Sequence, residues 1–320
     1  MKCLLIAVAF AATLPAGAIA QTYPDRPVRI IVPFAAGGGS DVVGRAIALK
    51  LSDKLGQSFV VENSTGAGGS LGATQAARAT PDGYTLLLGS SSEIAQYPNV
   101  ASNVAYDSVR DFVPIALIAT VPLVLTVTDG LPAKTTQELI AHAKANPGKL
   151  NFGSAGPGST THLAVALFNN MTGTQMTHVP YRGSAPVVTD LIAGNLQMAI
   201  PTMSAVLPHA KGGKVRLLAV STAKRASALP DVPTIQESGV PGYATGLWTG
   251  LLAPTGTPKA IVDRLSAAVA EALAAPDLKG LLASQGAEQS GGTPAQFADE
   301  IKRELAVWKE VAQKTGIRID

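Results

Sequence analysis

Val28-Arg29-Ile30-Ile31-Val32-Pro33-Phe34-Ala35-Ala36-Gly37-Gly38-Gly39-Ser40-Asp41 decides how this chain is read. Its first six residues are a short, nearly all-apolar run, the pattern of a strand covered on both faces. Three glycines stop the strand, and Val42, Val43, Ala46, Ile47, Leu49 and Leu51 then recur at helical spacing. Between them Ser40 is a natural N-cap, and Asp41 suits the positive end of a helix dipole. The unit is strand, glycine-rich turn, hydroxyl, helix. It occurs again where Leu150–Phe152 enters Gly153-Ser154-Ala155-Gly156-Pro157-Gly158-Ser159-Thr160-Thr161, ahead of a helix over Leu163–Met171.

Working outward, Phe59–Val61, Tyr84–Leu88, Thr177–Pro180, Leu196–Ile200 and Val215–Val220 read as further strands. Ile115–Thr128 gives two apolar runs split at Val121-Pro122, where proline ends a central strand. Ala73–Ala79, Thr135–Ala145, Pro258–Ala274, Asp277–Ser284 and Pro294–Thr315 carry helical patterns. This alternation predicts α/β layers with largely parallel sheets, and 320 residues are enough for two domains.

Composition removes several classes. At 47% hydrophobic and 15% charged residues the chain can bury a core and is not a charged disordered polymer. Net charge is +3, from 25 basic and 22 acidic residues without a dense basic stripe, which argues against nucleic acid as a partner. The one cysteine, Cys3, leaves no disulfide framework and no cysteine-based metal site. It lies in a segment built as a signal peptide: Lys2, an apolar run from Leu4 to Leu14, then small residues at Ala18 and Ala20. Cleavage after Ala20 is expected, giving an exported, cysteine-free protein; the run is too short to span a membrane.

Each strand–glycine–helix unit places unpaired backbone N–H groups and a positive helix end at the edge of a sheet. Such a terminus favours a carboxylate, phosphate or sulfate without a side-chain cation. Two of them in different lobes would clamp an anion between domains. Nucleotide motifs fail: neither loop completes G-x-G-x-x-G, and Gly148-Lys149 and Gly213-Lys214 lack the following hydroxyl of a P-loop. His142, His162, His178 and His209 show no metal-ligand spacing, and only His162 lies near the expected cleft. Gly68-Gly69-Ser70-Leu71-Gly72 fits G-x-S-x-G, so a hydrolase using Ser70, with His178 or His209, stands as an alternative. The plain reading is a glycine-rich turn, with Thr65–Gly69 loose rather than strained. Trp248, between Gly246 and Gly250, either lines the cleft or packs in the core, and Asp107, Arg110 and Asp111 form a solvated cluster.

Tyr23-Pro24-Asp25-Arg26-Pro27-Val28-Arg29-Ile30-Ile31-Val32-Pro33-Phe34 with Gly37-Gly38-Gly39-Ser40-Asp41 resembles the opening signature of the Bug family. These are extracytoplasmic solute receptors of tripartite tricarboxylate transporters. The likeness continues through Pro81-Asp82-Gly83-Tyr84-Thr85-Leu86, Asn146-Pro147-Gly148-Lys149-Leu150, His178-Val179-Pro180-Tyr181-Arg182-Gly183 and Leu229-Pro230-Asp231-Val232-Pro233-Thr234. It implies a two-lobe periplasmic-binding-protein (type II) fold with a hinged cleft. Lobe 1 would be 21–123 with 246–320, and lobe 2 would be 124–245, with crossings near Val121–Thr126 and Tyr243–Trp248. It further implies a monomeric periplasmic receptor that does no chemistry, holds no cofactor or metal, and delivers a small carboxylate to a permease.

Carried onto this sequence, the ligand would be met by Phe34, Ala36, Gly37, Gly38, Gly39, Ser40 and Asp41 from the first loop. Ser154, Ala155, Gly158, Ser159, Thr160, Thr161 and His162 would come from the second, and Ser91 and Ser92 from a third segment. After Met198-Ala199-Ile200 this chain has Pro201-Thr202 where many members carry an acidic or polar pair. Losing that counter-ion favours a plain mono- or dicarboxylate, possibly aromatic, over an amino acid. Presentation of the solute to a membrane histidine kinase fits the same residues.

Overall fold

The computed structural model describes residues 23–319, except 211 and 285. Residues 1–20, which the sequence reading expects to be a signal peptide, lie outside the described residues. In chain order the strands are β1 (Val28–Val32), β2 (Phe59–Asn63), β3 (Thr85–Ser90), β4 (Phe112–Val121), β5 (Val124–Thr128) and β6 (Asn151–Ser154). They continue with β7 (Thr177–Pro180), β8 (Met198–Ala199), β9 (Val215–Val220), β10 (Leu247–Pro254) and β11 (Glu288–Gln289). The helices are α1 (Gly39–Leu55), α2 (Ser70–Ala77), α3 (Tyr97–Val100), α4 (Thr136–Ala145) and α5 (Thr160–Thr172). After them come α6 (Ser184–Ala193), α7 (Met203–Ala210), α8 (Lys259–Ala274), α9 (Pro276–Ser284) and α10 (Pro294–Thr315).

Two sheets result, one ordered β11-β4-β10-β3-β1-β2 and the other β7-β6-β8-β5-β9. β1 lies parallel to β2 and β3, and β6 lies parallel to β7 and β8. β10 runs antiparallel to β3 and β4, β5 to β8 and β9, and β11 to β4. The sheets are thus mixed, where the strand–helix alternation predicts largely parallel ones. The crossings are the reason: β4 passes through Pro122-Leu123 straight into β5 of the other sheet, and β10 brings the chain back against its neighbours.

The apolar strand of the opening stretch behaves as its composition requires. Val28, Ile30, Ile31 and Val32 are fully buried, and Val43, Ile47 and Leu51 of α1 pack into the same cluster as Val28, Ile30 and Val32. Arg29 points out instead and pairs with Glu62 at 3.1 Å. Helix α10 begins with a capping box between Thr293 and Gln296 and buries Phe297, Ile301, Glu304, Trp308 and Ala312, one stripe at three- and four-residue spacing. Ser221 ties the two crossings together. Its backbone N–H donates to Leu123 O at 2.9 Å, its hydroxyl donates to Thr245 O at 2.7 Å, and Thr245 N–H returns to Ser221 O at 2.9 Å.

The fully buried centre of β1 gives a direct check. Ile30→Ala should lower the unfolding free energy by about 2–5 kcal/mol in urea titration, the cost of an unfilled core cavity. A loss below about 1 kcal/mol would contradict the tight packing of this strand.

Candidate functional site

The first loop is built by Asp41. Helix α1 opens with Gly38 at its N-cap and no side-chain cap, so Ser40 sits inside the first turn and does not fill the capping role its position predicts. Asp41 reaches back instead. Its carboxylate accepts from Gly37 N–H at 2.9 Å, from Asn63 Nδ2 at 2.9 Å and from Arg45 Nε at 3.0 Å. Burial alone would raise this carboxyl, but the bonds from Arg45, Gly37 and Asn63 outweigh it and hold the group below the usual carboxylate range. Asn63 also donates to Phe34 O at 2.8 Å, closing the loop on both sides.

The second loop is held just as fully from within. Ser159 caps α5, accepting from His162 N–H at 3.3 Å and donating to Gly156 O at 2.7 Å. Thr161 Oγ1 accepts from Ala155 N–H at 2.8 Å, and Ser154 Oγ accepts from Gly156 N–H at 3.1 Å. Gly156 and Gly158 take φ values of +123° and +73°, conformations that side-chain-bearing residues rarely adopt.

A third segment joins them. β3 ends at Ser90, and Ser92 starts a π-helical turn, Ser92–Gln96. Ser92 Oγ donates to Gly68 O at 2.9 Å and accepts from Thr160 N–H of the second loop at 3.3 Å. Behind it Glu93 is fully buried and accepts from Ser90 N–H and Ser90 Oγ; burial pushes its carboxyl up to about 7.

The stretch before Ser70 is far from loose. Ala67 at φ +46°, Gly68 at +61° and Gly69 at +99° form a tight 3-10 turn, and a Cβ on Gly68 would lie 2.6 Å from Pro157 O. Ser70 is buried at the start of α2 with its hydroxyl on the Tyr106 side chain. His178 is engaged by Ser154 Oγ and His209 lies in α7, so no hydrogen bond joins Ser70 to a histidine among the described residues. The nucleophile constellation is not assembled.

These segments enclose a small cavity. Of the expected residues its wall contains Phe34, Gly38, Gly39, Ser40, Ser92, Ala155, Ser159, Thr160, Thr161 and Thr202. Ala36, Gly37, Asp41, Ser91, Ser154, Gly158, His162 and Pro201 fall outside the wall. The reason is visible for several of them. Asp41 and Ser154 are spent on building loops, Ser91 Oγ donates to Gly246 O at 3.4 Å, and His162 Nδ1 accepts from Gly158 N–H at 3.1 Å behind the second loop.

The wall adds Ser184, Leu123 and Leu247, which sequence reasoning missed. Ser184 had a signal, since Tyr181-Arg182-Gly183 after β7 leads into Ser184, the first residue of α6, in another strand–glycine–hydroxyl–helix unit. Leu123 and Leu247 carry none; they reach the cavity because they lie at the crossings. On β10 alternate residues face opposite sides, so Trp248 turns away from Leu247. It packs edge-on against Phe297 at 5.2 Å and donates Nε1 to Glu304 on the rear of the strand.

The wall holds no charged side chain. It is made of the first residues of α1, α5 and α6, the residue before α7, and the start of the π-helical turn, backed by Phe34, Leu123 and Leu247. Thr160 is 2% exposed there, and its Oγ1 has no hydrogen-bond partner. The described residues contain no group of three or more His, Cys, Asp or Glu able to hold a metal.

Two mixed α/β sheets, joined by paired crossings with a cavity between them, define the two-lobe periplasmic-binding-protein class. Residues 43–317 match the tripartite tricarboxylate transporter family receptor, and the chain belongs to that family. It is 39% identical to protein BugT of Bordetella pertussis over 301 residues, 94% of this chain and 92% of that one. Among solved structures it superimposes at TM-score 0.90 on an R. palustris protein with adipate, 41% identical, covering 92% of this chain and 99% of the other. MatC from Rhodopseudomonas palustris with bound malate follows at TM-score 0.86, 34% identical, covering 90% and 99%. The Bug resemblance therefore holds, and the family is one of periplasmic receptors. No helix of the described residues is long and apolar enough to cross a membrane.

Asp41→Ala should cost about 1–3 kcal/mol of stability, because it strands the Gly37 N–H and the Asn63 amide. The carboxylate's pKa is depressed in the fold, so its contribution is present above the unfolded value of 3.8 and is lost as pH falls through the lower folded value. Chemical denaturation at pH 7 and pH 2 checks both: the wild-type advantage over Asp41→Ala should shrink in acid.

Proposed function

We propose that this receptor captures a small mono- or dicarboxylate in the cavity between its lobes and presents the closed complex to the permease of a tripartite tricarboxylate transporter. One observation carries the reading: a wall of helix N-termini and hydroxyls that contains no charged side chain. Each helix start contributes roughly 0.3–1 kcal/mol of attraction for an anion, more where water is excluded. Thr160 Oγ1, unpartnered at this wall, supplies a donor whose acceptor is the ligand. Phe34, Leu123 and Leu247 suit the carbon skeleton. An amino acid fits poorly, because its ammonium would be buried with no carboxylate facing it. The adipate and malate in the two R. palustris structures belong to the same chemical class.

In this reading 21–123 with 246–320 forms one lobe and 124–245 the other, and the lobes swing about the two crossings. Glycines let them meet. A Cβ on Gly39 would lie 3.0 Å from Thr202 Cγ2, and one on Gly158 would lie 2.3 Å from Ile319 Cδ1. Ala35 N–H donates across the seam to Arg182 O at 3.0 Å. A ligand that adds bonds only when both loops surround it shifts the open–closed equilibrium toward closure.

A thermal-shift and calorimetry panel tests this with adipate, malate, benzoate, aspartate and lysine. Carboxylic acids should raise the melting temperature and the amino acids should not; stabilisation by amino acids alone would overturn the assignment. Thr160→Val should weaken the best acid about tenfold, the worth of one hydrogen bond to a charged group, and leave the unliganded fold intact. Gly39→Val should abolish binding by propping the seam apart.

A further inference from the structure

Two of the four histidines meet behind the second loop. His162 of α5 and His178 of β7 stack with ring centroids 4.0 Å apart and planes 14° from parallel. Phe152 of β6 joins the stack, 4.9 Å from His178 and 6.1 Å from His162. Among the described residues each imidazole makes one polar contact, and both contacts go to the same loop. His162 Nδ1 accepts from Gly158 N–H at 3.1 Å, and His178 Nε2 lies 2.6 Å from Ser154 Oγ.

Ser154 and Gly158 bracket the turn that delivers Ala155 and Ser159 to the cavity wall. Gly158 has φ +73° and lies hard against Tyr97 and Ile319, so no side chain of its own can anchor it. Its N–H is the handle, and His162 holds it. We propose that the stacked His162–His178 pair is the positioning element of the second ligand loop, and that the pair must be uncharged for the loop to keep its shape, so that ligand capture is lost in acid.

The geometry requires it. A proton on His162 Nδ1 would set an N–H donor against the Gly158 N–H donor. Protonating both rings would place two cations 4.0 Å apart, with no carboxylate ion-paired to either among the described residues. The groups around the pair are few. Phe152 and Ser154 come from β6, Gly158 from the loop, and Tyr97 is the titratable side chain packed on the far side of Gly158. No ion pair among the described residues includes either histidine, and His178 is a charge-bearing neighbour that acts on His162.

Burial, and secondarily His178, pushes His162 down to about 4, and burial lowers His178 as well. A base depressed in the folded state contributes fully above its ordinary value of 6.5, and that contribution is lost as pH falls through about 4.

The role in capture rests on the proposed carboxylate function, and the test separates the two. The first readout is ligand-free NMR on the full mature chain. The His162 ring should titrate well below pH 6, and the Gly158 amide protection factor should fall about tenfold or more between pH 7 and pH 4.5. His162→Asn keeps an acceptor near the Nδ1 position but takes no proton, so its Gly158 protection should stay flat; His178→Gln does the same for the Ser154 contact. The second readout is calorimetry with adipate and malate, where wild-type affinity should fall more steeply in acid than that of His162→Asn, a comparison that cancels the acids' own titration. A His162 ring that titrates near 6.5, undiminished Gly158 protection at pH 4.5, or an equal acid loss in His162→Asn overturns the proposal. If neither acid binds at pH 7, the function reading fails while the ring titration and amide exchange still decide this one.

Discussion

Backbone N–H groups at the start of a helix have no partner within it, and a fold that turns them inward must meet that deficit. Here the starts of α1, α5 and α6, the residue before α7 and the Ser92 turn all face one small space. Strands bring them there. β1, β6 and β7 each end in a glycine-containing turn that reverses into a helix, and the paired crossings hold the two sheets so that these turns oppose each other. Some of the deficit is met internally, by Ser92 Oγ on Thr160 N–H and by Ser159 Oγ on His162 N–H. These helix starts, with the unpartnered Thr160 hydroxyl, suit an anion without a single cationic side chain in the wall.

That arrangement divides the polar residues into two kinds. Ser92, Ser159, Thr160, Thr161, Ser184 and Thr202 form the wall, while Asp41, Ser154, His162 and His178 stand behind it and fix the backbone in place. The division follows from size and charge. A carboxylate at the wall would repel an anion, whereas the same group one turn back can collect three N–H donors. Glycine does a third job, letting the two sides approach until only backbone separates them.

Much of this was legible in the residues. The apolar run of β1, the helical stripe of α10 and the split at Val121-Pro122 follow from side-chain periodicity and from what proline cannot do. The two glycine loops announced themselves, and ten of the expected contact residues stand at the cavity. Ser40 was misjudged because Gly38 can cap α1 with its backbone alone, and Asp41, one residue later, reaches the loop N–H that Ser40 does not. Thr65–Gly69 looked loose because glycines permit many conformations; the close approach of Pro157 selects one. Parallel sheets were expected because local alternation says nothing about a strand that returns from another sheet.

The sequence alone determined most of the local units, those with clear periodicity, and where hydroxyls and glycines stand at their junctions; β10, which sits between β4 and β3, was not among them. Those depend on periodicity and on backbone preferences a few residues long. It also determined the family, through motifs spread over the chain. Only the tertiary structure decided which junctions meet, that Leu123 and Leu247 floor the cavity while Trp248 turns its back on it, and that His178 comes from β7 to stack on His162 behind the second loop. These are contacts between residues far apart along the chain, set by strand order and crossing geometry, and no short-range pattern records them.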